Sequence, residues 1–138
     1  MNATTTVSDA VTPPSLVRMM HIIYALHALG LVLGALSGSA TVVGGFLGVS
    51  SIIAMILSYI YRDDARGTWL ESHFKWTMRT FWYALLWLIL IVVVSFPLML
   101  VLVGFATWAV GLFVLGIWAA YRILRGWLRL NARQAMPA

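Results

Sequence analysis

The sequence predicts an all-α integral membrane protein with four transmembrane helices, and two observations carry that prediction. Of its 138 residues, 62% are hydrophobic and only 9% are charged, whereas a soluble domain has about 25% charged residues. The chain also contains charge-free stretches that are long enough to cross a bilayer, which takes about 20 apolar residues. Because the length leaves no room for a second folded unit, we expect one compact membrane domain.

The first element is a polar segment, residues 1–16, which is rich in Ser and Thr and contains Pro13-Pro14. This composition predicts a flexible tail rather than a cleaved signal peptide, which would carry positive charge and then an apolar stretch. The four-span domain follows over residues 17–125, and a basic cytoplasmic tail covers residues 122–138. The predicted spans are about 17–36, 41–61, 77–95 and 98–121.

The last two spans are separated only by a predicted turn, since the charge-free stretch over residues 80–121 is twice the length of one span. We place this turn near Ser95-Phe96-Pro97, because proline interrupts helix hydrogen bonding and restricts the residue before it. Gly104 is a weaker candidate for the turn.

The basic residues predict the orientation of the chain. With four spans, every basic segment falls on one face of the membrane, and the two remaining connections, residues 37–40 and the turn near Pro97, hold no charge. Positive charge marks the cytoplasmic side, so we expect both termini inside. The basic residues are Arg18, Arg62, Arg66, Lys75, Arg79, Arg122, Arg125, Arg129 and Arg133.

Small residues at a spacing of four predict how the first two spans pack. Such residues share one helix face and let two backbones approach closely, which favours helix pairing in lipid. We therefore expect a tight hairpin of spans one and two, with an oligomerising seam as the alternative. The helix-packing residues are Gly30, Gly34, Gly38, Gly44 and Gly48.

The segment before span three predicts an interfacial helix. Thr68-Trp69-Leu70-Glu71 fits a capping box, so a helix should begin at Trp69 and lie among the headgroups before it enters the membrane. Its polar stripe and the arginine stripe after span four are the candidate partner- or lipid-binding surfaces. Their residues are Glu71, His73, Lys75, Arg79, Arg122, Arg125 and Arg129.

Candidate chemical groups are few. His21 and His27 point about 240° apart on a helix, so they cannot easily share a metal ion. His27 and Ser58 are the intramembrane polar candidates, and His27 should need a partner such as Tyr24, Ser58 or a backbone carbonyl. Asp63-Asp64 is interpreted as a solvated charge cluster, and the chain has no cysteine. We therefore expect no enzyme, no catalytic residue, no metal and no cofactor.

The order of features resembles a family of small bacterial four-span membrane proteins of unknown function, distantly similar to a subunit of the chloroplast inner-envelope translocon. The likeness is carried by Tyr61-Arg62-Asp63-Asp64, by Glu71-x-His73 and by the basic exit from Arg122 to Asn131, and it covers about His21 to Pro137. Where the family often has an Asn-Phe-Gln-like triplet, this chain has Trp76-Thr77-Met78. The resemblance implies a four-span fold in the bacterial inner (plasma) membrane, and it brings no activity.

The leading functional hypothesis is a non-enzymatic scaffold or accessory subunit of a membrane complex. Its expected partners are anionic lipid headgroups and a protein in the membrane, and not nucleic acid, because the net charge of +5 belongs to a membrane chain. The alternative is a small oligomeric transporter or channel in which a homo-oligomer forms through the glycine seam and His27 and Ser58 line a polar path. A haem- or metal-binding membrane subunit comes third.

Overall fold

The computed structural model describes residues 12–36 and 48–137, and within these ranges the chain forms four α-helices and no strand. The all-α prediction is confirmed for this part of the chain. A short 3₁₀ helix, Met99–Val101, joins the last two helices. The helices are α1 (Pro14–Leu36), α2 (Val49–Tyr61), α3 (Leu70–Leu98) and α4 (Val103–Asn131).

Three of the helical segments are long and apolar enough to cross a membrane: Pro14–Leu36, Leu70–Val101 and Val103–Asn131. Many large apolar side chains on α3 point outward, including Leu86 at 50% and Val93 at 62% exposure. Such a surface suits lipid and not water, because a soluble monomer rarely exposes large contiguous apolar patches. The fold is therefore compatible with a multi-pass membrane protein.

Helix α2 is shorter than the predicted span over residues 41–61. Its 13 residues extend about 20 Å, against a hydrocarbon core of about 30 Å. Gly48 precedes the helix with an extended backbone (φ −73°, ψ −176°), and glycine is about 1 kcal/mol less favourable than alanine in a helix interior. Residues 41–47, with Gly44, and Gly38 of the first connection lie outside the described residues.

The turn between α3 and α4 lies after the predicted position. Helix α3 continues through Pro97 to Leu98, and the chain reverses at Leu102, whose backbone is left-handed (φ 62°). The prediction at Ser95-Phe96-Pro97 was wrong, because the helix accommodates Pro97, which lacks one backbone donor, and ends only after it, at Leu98. The reversal requires the start of α4 to approach the end of α3 closely. A β-carbon at Gly104 would collide with the backbone of Ser95 and Met99.

The start of α3 also differs from the predicted capping box. The helix begins at Leu70, and the Thr68 hydroxyl donates to the Ala65 carbonyl (2.7 Å) instead of accepting from Glu71. The Glu71 carboxylate accepts from the backbone N–H of Gly67 (3.0 Å), one residue before the predicted donor. The positive φ of Gly67 (76°) shapes this turn, which only glycine adopts without strain.

The helices pack side by side, with consecutive helices antiparallel. Helix α4 contacts α3 most extensively, and α1 packs on both α2 and α4. The predicted pairing of the first two spans agrees with the contacts between α1 and α2, and Gly30 and Gly34 are buried. The start of α1, the end of α2, the start of α3 and the end of α4 meet at one end of the bundle. That end carries the described basic residues, and we call it the polar end.

Candidate functional site

His73 lies at the centre of the polar end and contacts two other parts of the chain. Its Nδ1 is 3.1 Å from the hydroxyl of Tyr24 on α1, and its Nε2 is 2.7 Å from the carbonyl oxygen of Gln134. Because the carbonyl can only accept, Nε2 carries the proton and Nδ1 accepts from the hydroxyl. These two bonds join α1, α3 and the segment after α4. The His73 ring is fully buried and is therefore not presented to solvent.

Two aromatic rings enclose His73. Trp69 and Tyr24 both meet the imidazole edge to face, with ring centroids 5.5 Å and 6.1 Å away. Edge-to-face pairs of this kind stabilise a site by about 0.5–1.5 kcal/mol beyond the area that they bury. The imidazole is therefore held in position by packing as well as by its two hydrogen bonds.

Tyr24 can reach His73 only because α4 presents a glycine there. A β-carbon built at Gly126 would lie 2.6 Å from Cε1 of Tyr24 and would also collide with its hydroxyl. Tyr24 itself is fully buried. Three helices thus meet at one point, with Tyr24 from α1, His73 from α3 and Gly126 from α4.

The last described residues, 132–137, fold back against the start of α3, and we call them the C-terminal tail. Besides the bond between His73 and Gln134, the backbone N–H of Met136 donates to the Ser72 hydroxyl (2.9 Å). Arg129 donates to the Ala135 carbonyl (3.2 Å). The Met136 side chain is buried, with 5% exposure. The tail is therefore anchored by polar and apolar contacts together.

A cleft of about 430 Å³ separates the C-terminal tail from the outer face of α3. Glu71, Lys75 and Arg79 line it on the helix side, and Met136 lines it on the tail side. The Lys75 ammonium lies 2.6 Å from the Glu71 carboxylate, as the spacing of four predicts. The structure thus brings three predicted surface residues together, and Arg129 contributes by holding the tail.

Beside the cleft, three arginines surround the ring of Trp76. The guanidinium carbon of Arg122 lies 3.8 Å from the ring centroid, and those of Arg79 and Arg125 lie 5.9 Å and 6.0 Å from it. All three distances are in the range of cation–π attraction. We call Arg79, Arg122 and Arg125 the arginine cluster.

Arg122 is the most tightly held member of the arginine cluster. Its Nε donates to the Thr80 hydroxyl (2.8 Å), and its carbonyl oxygen accepts from the Trp76 indole N–H (3.2 Å). Its guanidinium also lies 5.1 Å from the Trp118 ring. In contrast, its Nη2 is buried with no acceptor among the described residues. The site therefore holds a charged donor in place and leaves part of its hydrogen-bonding capacity unused.

The intramembrane candidates form local bonds. His27 Nδ1 donates to the Ile23 carbonyl (2.9 Å), and the Ser58 hydroxyl donates to the Ala54 carbonyl (2.8 Å). Each group therefore bonds to a backbone carbonyl in the preceding turn of its own helix, which is a common arrangement for serine. His21 accepts from the Trp127 indole N–H (3.1 Å). The part of the chain that the structure describes contains no cluster of three potential metal ligands.

Some members of the polar end escaped the sequence interpretation. Gln134 acts through its backbone carbonyl, so no side-chain pattern marks it. Tyr24 was considered only as a partner for His27, whereas the structure pairs it with His73. The sequence shows that Trp76 lies one helical turn before Thr80, but it does not show that their common partner is Arg122, which lies on another helix.

Comparisons with known protein families, curated proteins and solved structures find no match to this chain. The resemblance to the bacterial four-span family stays a prediction.

Proposed function

We propose that this chain is a non-enzymatic multi-pass protein of the bacterial inner (plasma) membrane that serves as a scaffold or accessory subunit of a larger membrane complex. One observation carries the proposal. The C-terminal tail is anchored against α3 and forms, with Glu71 and Lys75, an ordered cleft at the polar end. A surface that is already ordered loses little conformational entropy when a partner binds.

The composition of the cleft supports a protein partner. Trp69 and Trp76 line it together with Arg79 and the Glu71–Lys75 pair. Tryptophan and arginine are enriched among the residues that dominate binding energy at protein interfaces. Charges of both signs would then select a partner with the complementary pattern.

The proposed orientation places the polar end in the cytoplasm with both termini inside. The supporting observation is that the described basic residues share one end of the bundle, whereas Leu36, Val49 and the 3₁₀ helix lie at the other end without charge. Positive charge is retained on the cytoplasmic side during insertion. A partner would therefore meet the cleft from the cytoplasm or from the headgroup region.

The test is affinity purification in mild detergent after cross-linking in cells. We expect the wild-type chain to recover a specific partner, and we expect the charge exchange Glu71→Lys with Lys75→Glu to lose it. The exchange Asp63→Arg with Arg66→Asp is the matched control, since Asp63 and Arg66 form an ion pair (2.9 Å) outside the cleft. Recovery of the wild-type chain alone under cross-linking would contradict the proposal.

The same preparation separates the alternatives. A stable homo-oligomer that supports ion or solute flux in liposomes would favour the transporter or channel. An absorption band of haem in the purified protein would favour the cofactor-binding subunit. A monomer without flux and without colour, bound to another protein, is the outcome expected for the accessory subunit.

A further inference from the structure

The arginine cluster carries a positive charge that the described part of the chain does not balance. Within the described part of the chain, the ion pairs join Asp63 to Arg62 and Arg66, and Glu71 to Lys75. None of these carboxylates pairs with Arg79, Arg122 or Arg125. Three guanidinium groups around a single Trp76 ring repel one another, and an anion placed between them would remove that repulsion.

The chemistry of the cluster suits a phosphate group. Arginine guanidinium groups bind phosphate oxygens through paired N–H···O bonds. Arg122 is already fixed by Thr80 and by the Trp76 ring, and its buried Nη2 lacks an acceptor among the described residues. A phosphate held by Arg79 and Arg125 beside this group would be bound by a largely preformed site.

An apolar groove of about 370 Å³ lies next to the cluster, between α3 and α4. Trp87 and Ile91 line it from α3, and Gly111, Val114 and Trp118 line it from α4. The missing side chain at Gly111 deepens the groove, since the Ile91 side chain lies only 3.0 Å from where a β-carbon would be.

The groove and the cluster form one continuous surface through Trp118. This residue lines the groove and also lies beneath the Arg122 guanidinium. On α4, residues 111, 115, 118, 122 and 125 recur at spacings of three and four, so they share one face. On α3, residues 76, 80, 83, 87 and 91 do the same. The two stripes lead from the arginines at the polar end into the apolar part of the bundle.

From this continuity we infer that the α3–α4 face binds one anionic glycerophospholipid, with its phosphate on the arginine cluster and an acyl chain in the groove. The inference requires only that the chain lies in a membrane, and it stands apart from the proposed accessory role. A zwitterionic lipid fits less well, because its headgroup brings a positive charge back to three arginines that no described carboxylate neutralises.

Lipid titration of the full-length, delipidated protein, followed by native mass spectrometry, tests the inference. The probes are dioleoyl-phosphatidylglycerol, dioleoyl-phosphatidylcholine and inorganic phosphate. We expect one phosphatidylglycerol to bind more tightly than phosphatidylcholine. Phosphate alone should not displace it, because the acyl chain contributes to binding.

Two pairs of variants locate the site. Arg79→Gln with Arg125→Gln should weaken phosphatidylglycerol binding roughly thirtyfold, the effect of two basic residues near an anionic headgroup. Arg18→Gln with Arg133→Gln removes the same charge away from Trp76 and should leave binding near the wild-type level. Val114→Trp should fill the groove and weaken both lipids, whereas Val110→Trp, on an exposed position outside the groove (62% exposure), should not.

Each outcome decides the matter. Equal losses of phosphatidylglycerol affinity in the two double-arginine variants would show that binding depends on general surface charge, and this would overturn the proposed site. Equal affinity for the two lipids, or displacement by inorganic phosphate, would overturn an anionic lipid as the occupant. Unchanged binding in Val114→Trp would overturn the groove. If the arginine variants do not fold, the comparison of Val114→Trp with Val110→Trp and the comparison of the two lipids still decide the inference.

Discussion

At the scale of single residues, the polar end depends on one missing side chain. Gly126 leaves the space into which the ring and hydroxyl of Tyr24 fit, and this placement lets the hydroxyl reach Nδ1 of His73. Both Tyr24 and His73 are fully buried. Any β-carbon at position 126 must therefore push Tyr24 away from its partner.

Replacing Gly126 by alanine tests this dependence. We expect Gly126→Ala to lower the free energy of unfolding by about 1–3 kcal/mol, because overpacking a well-packed site costs this much. The measurement is unfolding in mixed micelles, followed by circular dichroism.

Gly111→Ala is the matched control for this prediction. The three atoms nearest to a β-carbon at position 111 all belong to the side chain of Ile91, at 3.0–3.2 Å, and an aliphatic side chain can move where a packed ring cannot. Alanine also favours a helix over glycine by up to about 1 kcal/mol. We therefore expect little change for Gly111→Ala, and equal losses at both positions would contradict the account of Gly126.

At the scale of elements, the reversal between α3 and α4 rests on a residue that is poorly suited to it. Leu102 has a left-handed backbone (φ 62°), and its side chain is 77% exposed. The left-handed conformation costs a non-glycine residue about 1–2 kcal/mol. The helical hairpin of α3 and α4 therefore forms despite local strain, because the packing between the two helices outweighs it.

Substitution at Leu102 should reveal that strain. We expect Leu102→Gly to be as stable as the wild type or up to about 1 kcal/mol more stable, since glycine adopts positive φ freely. Leu102→Ile should be less stable, because a β-branched residue tolerates this conformation poorly. Both are measured by unfolding in mixed micelles.

The control for the turn is Leu100→Gly. Leu100 is 91% exposed and belongs to the 3₁₀ helix, so glycine relieves no strain there and should destabilise the chain slightly. If the two glycine variants change stability by the same amount, the strain at Leu102 is not the cause.

At the scale of the whole molecule, the gathering of positive charge at one end determines the proposed orientation. Single-cysteine labelling tests it directly, since the natural chain has no cysteine to give background. In spheroplasts, we expect a membrane-impermeant thiol reagent to label Leu100→Cys. Ser15→Cys, Arg66→Cys and Gln134→Cys should react only after the membrane is permeabilised.

The same labelling decides whether α2 crosses the membrane. If it does, Ser15→Cys and Arg66→Cys behave alike, because two crossings separate them. Opposite behaviour of these two variants would show that only α1 crosses the membrane before residues 62–69, the segment between α2 and α3. Labelling of Arg66→Cys without permeabilisation, with Leu100→Cys protected, would show an inverted orientation.

The interpretation of the sequence succeeded where a feature depends on neighbours along the chain. It placed the Glu71–Lys75 pair and a continuous helix leading into the third apolar segment. It misplaced the turn after α3, because proline disfavours a helix without always ending it, and α3 continues through Pro97 to Leu98. The predicted capping box was also wrong. The Glu71 carboxylate accepts from the backbone N–H of Gly67, and not from that of Thr68, because of the turn at Gly67.

The sequence by itself determined the helical class of this protein, its apolar surface and the concentration of charge in two short stretches. Composition and the length of apolar runs reflect the solvent around the chain, and both can be obtained from the sequence without knowing any tertiary contact. Only the tertiary structure decided that Tyr24 meets His73 across 49 residues and that His73 meets Gln134 across 61. Such contacts depend on the rotation and register of whole helices, which packing sets and local patterns do not record.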